Sequence, residues 1–153
     1  MIIRPEHPND AQTIGMLTAE AFAPMGFSDG TEGTLVENMR DAGDLTLSLV
    51  AELDGKIIGH VAFSPASVSE TDGEWFALGP ISVALAHQRK GIGRALTFAG
   101  LAELCRLGAA GCILTGNPAV YQKMCFTSDG GLHHQGTADR HVHWRILNGP
   151  PPR

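Results

Sequence analysis

The chain is short of several residue types and patterns, and each shortage closes off a class of protein. It has three cysteines in 153 residues, an odd and widely spaced set (Cys105, Cys112, Cys125). That pattern argues against a disulfide framework and for free core thiols in a reducing, cytoplasmic compartment. No apolar run approaches the ~20 residues a membrane helix needs. Met1-Ile2-Ile3-Arg4-Pro5 lacks the charged and apolar regions of a leader, so no secretion signal is expected. Positive charge is in deficit, with 11 Lys and Arg against 16 Asp and Glu and a net charge of −5. Nonspecific binding to nucleic acid or to an anionic membrane is therefore not expected. The absence of Gly-x-x-x-x-Gly-Lys-Ser/Thr removes a P-loop. There is a single tyrosine, Tyr121.

What remains is the composition of an ordinary globular domain, 43% hydrophobic and 18% charged. Its length suits one domain with a substantial core. The densest chemistry lies in Gln88-Arg89-Lys90-Gly91-Ile92-Gly93-Arg94. Upstream, Trp75 to Val83 is apolar and partly β-branched, while Ile92, Ala95, Leu96, Ala99 and Ala102 recur at helical spacing. The glycines thus fall where a strand gives way to a helix start, which exposes unpaired backbone N–H groups and about half a positive charge. Arg89, Lys90 and Arg94 oppose that dipole unless an anion lies among them. The alternative is a solvated turn with incidental charges. A dinucleotide fingerprint would need glycine or alanine where Leu96 stands.

Gln-x-x-Gly-x-Gly directly after an apolar strand resembles the pyrophosphate loop of the GNAT superfamily of acyl-CoA-dependent N-acetyltransferases. The resemblance covers nearly the whole chain. Leu78-Gly79-Pro80-Ile81-Ser82-Val83 looks like the family's fourth strand, Ala110 to Thr115 like its fifth, and Tyr121-Gln122-Lys123-Met124-Cys125-Phe126 like its Tyr-x-x-x-Gly-Phe element. The Leu-Gly-Pro strand, with Gly116-Asn117-Pro118 before the tyrosine, most resembles the YhbS-like branch. Leu85 and Ala86 replace the family's common Pro and acidic residue, and Cys125 replaces glycine.

Along the chain, Ile2 to Pro5 reads as a first strand, and Asn9 or Asp10 as the cap of a helix through Phe22. Pro24 to Gly33 reads as a glycine-rich loop over a site, followed by a short helix containing Leu35, Val36 and Met39. Leu45 to Leu53 and Lys56 to Phe63 flank Asp54-Gly55, a strong hairpin signal. A second turn is expected at Thr71-Asp72-Gly73. Gly108 should stop the long helix, Ala110 to Thr115 should be a buried strand, and Val142 to Leu147 the last one. Residues 1–148 form one expected domain and 149–153 a flexible tail. The expected architecture is α/β, a mixed, mostly antiparallel central sheet flanked by helices, as in the GNAT fold.

The resemblance implies acetyl-CoA as cosubstrate, with no metal. It places the main chain of Ile81, Ser82 and Val83 on the pantetheine arm, and Gln88, Arg89, Lys90, Gly91, Ile92, Gly93 and Arg94 on the pyrophosphate. Asn117 and Tyr121 complete the cofactor residues. Tyr121, five residues before Phe126, takes the position of the family's general acid, the alternative being a core tyrosine with a satisfied hydroxyl. The amine needs a base, and two candidates are open. Glu74, at the entry to the Trp75 strand, would act through a water; His60, mid-strand between Ile58 and Ala62, has an ordinary pKa near 6.5 that suits the task. Glu32 could instead meet a substrate cation. His133, His134, His141 and His143 fall close together, but no carboxylate or cysteine stands at a recognised zinc spacing.

These readings converge on direct acetyl transfer from acetyl-CoA to a primary amine, on a small molecule or a protein, in a ternary complex. The competing reading is a noncatalytic acyl-CoA-binding sensor or interaction module using the same cradle. Many members of the superfamily dimerise, so a homodimer is the expectation.

Overall fold

The computed structural model describes residues 1–24, 32–68, 72–115, 121–124, 126–127 and 142–149. Six strands hydrogen-bond in chain order, β1 (Ile2–Pro5), β2 (Leu47–Leu53), β3 (Lys56–Ala66), β4 (Trp75–Val83), β5 (Gly111–Thr115) and β6 (Val142–Ile146). Three α-helices accompany them, α1 (Ala11–Phe22), α2 (Glu32–Asp41) and α3 (Ile92–Arg106). The chain groups into two compact units, Met1–Ser64 with Gly79–Gly100, and Pro65–Leu78 with Leu101–Arg153.

In the first unit, β1, β2 and β3 pair antiparallel. The β2–β3 hairpin turns at Asp54 and Gly55, both with positive φ (51° and 78°), the requirement of the type I′ turn that an Asp-Gly pair satisfies. Val50 packs with Ile14 of α1 and Val36 of α2, so the even-numbered positions of β2 face those helices. The opposite face meets α3. There a Cβ on Gly59 would lie 2.9 Å from Leu96 Cδ1, and one on Gly100 only 2.3 Å from Phe63 Cε2. Helix and sheet approach closely because these two positions carry no side chain. The buried stripe of α3 runs through Ile92, Leu96, Thr97, Gly100, Leu101 and Leu104, while Ala102 of the expected stripe is exposed.

Asp10 occupies the residue before α1 but does not cap it. Its carboxylate accepts from the His7 amide (2.7 Å) and from Arg4 Nη1 (2.8 Å). The bond from Arg4 holds its pKa below the ordinary carboxylate value. The second helix begins earlier than expected, at Glu32. Residues 25–31 of the expected glycine-rich loop lie outside the described residues, as does Thr71 of the second turn.

In the second unit, β4 and β5 run parallel through three pairs, Trp75↔Gly111, Phe76↔Cys112 and Ala77↔Ile113. Strand β5 then pairs antiparallel with β6 along its whole length. Trp75, Ala110, Ile113 and Val142 form the core here. Helix α3 ends as expected near Gly108, whose positive φ (85°) accompanies an N–H bond to Cys105 O. Gly149, assigned to a loose tail from sequence, donates its N–H to Ala110 O at 3.0 Å; residues 150–153 lie outside the described residues. Cys112 is buried as expected, but Cys105 is exposed, its Sγ 3.8 Å from Asn148 Oδ1, so it is not a core thiol. Cys125 lies outside the described residues.

Candidate active site

The first unit carries the turn expected from sequence to cradle an anion. After β4 ends, the Ala84 amide donates to Ile58 O at 2.8 Å, tying the exit of β4 to β3. A 3-10 turn over Leu85–His87 leads into Gln88, whose Nε2 donates to Val83 O at 3.0 Å. Arg89 then adopts φ of 63° and Gly91 of 83°. Positive φ is costly for arginine and routine for glycine, and such strain persists where surrounding structure fixes it, frequently at ligand sites. Two left-handed residues, Arg89 and Gly91, thus lie within three positions of the turn. Helix α3 follows at once, locked by Ala95 N to Gly91 O (3.0 Å) and by Thr97 Oγ1 to Gly93 O (2.9 Å).

Around this turn Arg89, Lys90 and Arg94 are all exposed. Among the described residues, none of the four ion pairs involves them. Arg94 instead lies over the Phe98 ring, 5.2 Å from its centroid, which steadies the guanidinium without neutralising it. A Cβ on Gly93 would sit 3.8 Å from Ile81 Cδ1 and Val83 Cγ2, an ordinary contact. The protein's own packing therefore does not demand glycine at this position. Two clefts on this unit lie elsewhere: about 450 Å³ beside Glu6, Arg40 and Ser48, and about 540 Å³ between α1 and α2.

Tyr121 stands in the second unit, half-buried, just before a 3-10 turn over Gln122–Met124. Three consecutive residues of β6 hold its segment. The His143 ring lies 5.7 Å from the Tyr121 ring at 42°, Trp144 exchanges both main-chain bonds with Thr127 (2.8 and 2.9 Å), and Arg145 Nη1 donates to Met124 O at 3.3 Å. Phe126 meets Tyr121 edge-on at 6.1 Å. Burial pushes the Tyr121 hydroxyl above its ordinary pKa, so it stays protonated and able to donate through the neutral range. Sequence reasoning singled out Tyr121 as a candidate but did not see the contacts that hold it. His143 had stood out only as a member of a histidine cluster, whose other three members lie outside the described residues.

The two base candidates differ sharply. Glu74 is exposed at the entry to β4, its carbonyl fixed by the Ala110 amide at 2.8 Å. His60 is 0% exposed, its Nε2 2.7 Å from Ser48 Oγ, and burial lowers its pKa to about 4. A side chain so enclosed does not reach an amine arriving from solvent. Cys112 is equally enclosed, and burial raises its thiol to about 12, which leaves it without thiolate character at neutral pH. Asn117 lies outside the described residues, and Glu32 is the first residue of α2. No cluster of three or more metal-ligating side chains occurs among the described residues.

A sheet with a parallel pair of three residues, and a glycine turn carrying uncompensated cations at a helix start, are the features that the resemblance to acyl-CoA-dependent acetyltransferases leads one to expect. Residues 15–124 match the family model for the acetyltransferase (GNAT) family. The chain is 38% identical over 135 residues, 88% of its length and 77% of the relative's, to the N-acetyltransferase YhbS of Escherichia coli K12, itself described as uncharacterized. Among solved structures it resembles a GNAT acetyltransferase from Brucella melitensis in complex with acetyl-CoA, at a TM-score of 0.86 and 38% identity, covering 99% of this chain and 90% of that one. It also resembles Escherichia coli YhbS in complex with CoA, at a TM-score of 0.86 and 33% identity, covering 95% and 81%. The chain belongs to the GNAT family of acetyltransferases.

Proposed function

We propose that this protein transfers the acetyl group of acetyl-CoA to a primary amine by direct attack in a ternary complex. The observation that carries this reading is the turn from Gln88 to Arg94: Arg89 and Gly91 at positive φ, with Gln88 bonded to Val83, before a helix start bearing exposed cations outside any ion pair among the described residues. Acetyl-CoA supplies an activated thioester, and the chain supplies binding, orientation and proton movement. N–H groups of the turn from Gln88 to Arg94 hold the pyrophosphate, with Arg89, Lys90 and Arg94 adding charge-assisted bonds. The main chain of Ile81, Ser82 and Val83 holds the pantetheine arm and orients the thioester. As the amine forms its C–N bond and the C–S bond breaks, the Tyr121 hydroxyl gives a proton to the departing sulfur. Glu74, the exposed candidate, takes the amine's proton through a water. The absence of thiolate character at Cys112 favours this direct route over one through an acyl-enzyme at Cys112.

The acceptor is an amine on a small molecule or on a protein. The complexes of the Brucella melitensis and Escherichia coli relatives with acetyl-CoA and CoA support the cosubstrate. The proposed place of action is the cytoplasm, and the proposed assembly a homodimer. Release of CoA thiol across a panel of amines, with the intact protein and its Tyr121→Phe variant, tests the reading. Amine-dependent thiol release that falls in the variant supports it. Binding of acetyl-CoA without any release would make the protein a sensor instead.

A further inference from the structure

His60 has an assignment other than base. It is 0% exposed at the middle of β3, and Ser48, at 7%, meets its Nε2 from β2 at 2.7 Å. A second buried hydroxyl, Ser82 Oγ on β4, is 2% exposed as a residue. Ser82 Oγ and His60 Nδ1 are both buried polar atoms with no other hydrogen-bond partner. Leaving such groups unsatisfied costs about 1–3 kcal/mol each.

Register makes the two residues that carry these atoms cross-strand neighbours. The link from Ala66 to Trp75 is too short for a parallel crossover, so β3 and β4, neighbours in the sheet, run antiparallel. The bond from Ala84 N to Ile58 O then sets Val83 opposite Gly59 and Ser82 opposite His60. Burial agrees. Gly59 and Val83 both approach α3, through Ile92 and Gly93, so Ser82 and His60 share the other face.

We propose that His60 is a positioning residue that joins Ser48 to Ser82 in a polar line across β2, β3 and β4, and so fixes the Ser82 stretch of main chain against the cosubstrate. Ser48 donates its hydroxyl proton to Nε2, and Nδ1–H donates to Ser82 Oγ, directly after a turn about the serine χ1 or through one water. The consequence for catalysis rests on the proposed function, because Ile81–Val83 is the stretch assigned to the pantetheine arm. The line itself does not.

Imidazole nitrogen NMR of the intact protein tests the line without acetyl-CoA, with His60→Gln used to assign the signal. Ser82→Ala should move the Nδ1 resonance and Ser48→Ala the Nε2 resonance; an Nδ1 signal indifferent to Ser82→Ala would overturn the proposal. Kinetics tests the consequence. Asparagine places an amide near the Nδ1 position and glutamine near Nε2. The KM for acetyl-CoA should rise about fivefold in Ser82→Ala and His60→Gln, the equivalent of one neutral hydrogen bond, and less in His60→Asn. The acid limb of the kcat profile should be unchanged in all three. Loss of that limb in both His60 variants would make His60 a base after all, and equal KM values throughout would remove its positioning role. If the intact protein binds no acetyl-CoA, the functional reading fails while the NMR result still decides the line.

Discussion

The Gln88 side-chain amide donates a 3.0 Å hydrogen bond to the Val83 carbonyl, so the end of β4 and the start of the anion cradle move as one piece. Gln88→Ala removes that tie and leaves every cation in place. It should raise the KM for acetyl-CoA about fivefold, the loss of roughly one hydrogen bond's worth of ordering, with kcat nearly unchanged. Steady-state kinetics at saturating amine checks it; an equal fall in kcat would place Gln88 in the chemistry rather than in binding.

Tyr121 is expected to act on turnover, not on cosubstrate affinity. Tyr121→Phe keeps the ring that packs on His143 and Phe126 and should lower kcat by about one to two orders of magnitude. The drop is limited because a thiolate with a pKa near 8.5 leaves tolerably well unaided. In the intact enzyme, the raised pKa of the hydroxyl places any basic limb due to Tyr121 above pH 10. A limb near 8 that vanishes in the variant would contradict that placement.

Gly100 of α3 faces the Phe63 ring of β3. An added Cβ would meet Phe63 Cε2 and Cζ at 2.3 Å, so Gly100→Ala should destabilise the fold by about 1–3 kcal/mol. Urea unfolding measures the loss. Pairing it with Phe63→Leu should recover part of the stability, and a neutral Gly100→Ala would show that the ring has room to withdraw.

His60 makes stability depend on pH in a definite direction. Its folded pKa of about 4 lies below the ordinary 6.5, so between these values the unfolded chain binds the proton first. Stability should therefore be full above about pH 7 and decline as pH falls toward 4, by at most about 3 kcal/mol from this residue. His60→Gln should flatten the decline measured by urea midpoints at pH 5 and 7. Asp10 adds a loss at lower pH, as its depressed carboxylate is protonated and releases Arg4.

Local chemistry made much of this molecule legible in sequence. Asp54-Gly55 fixed a hairpin because both residues tolerate positive φ, and the apolar run from Trp75 to Val83 became a strand over that same span. The turn between β4 and α3 could be read because its glycines and charges lie within seven consecutive residues, Gln88 to Arg94. Features set by distant partners could not be read. Ser48 meets His60 across a strand pair, and nothing in the alternating pattern around Ile58 and Ala62 distinguished a buried imidazole from a cleft-lining one. Asp10 had the identity and position of a helix cap, yet Arg4 competes for its carboxylate. Cys105 sits in apolar sequence but on the outer side of α3, where only packing decides exposure. The support of Tyr121 by His143 and Arg145 joins segments about twenty residues apart in chain.

Calorimetric titration of the purified protein with acetyl-CoA, beside an Arg89→Ala/Arg94→Ala double variant and at two salt concentrations, tests the central claim most directly. Micromolar binding by the intact protein, weakened by salt and lost in the variant, is the predicted result. No binding by the intact protein would contradict the acetyltransferase reading, and equal binding by the variant would contradict the cradle.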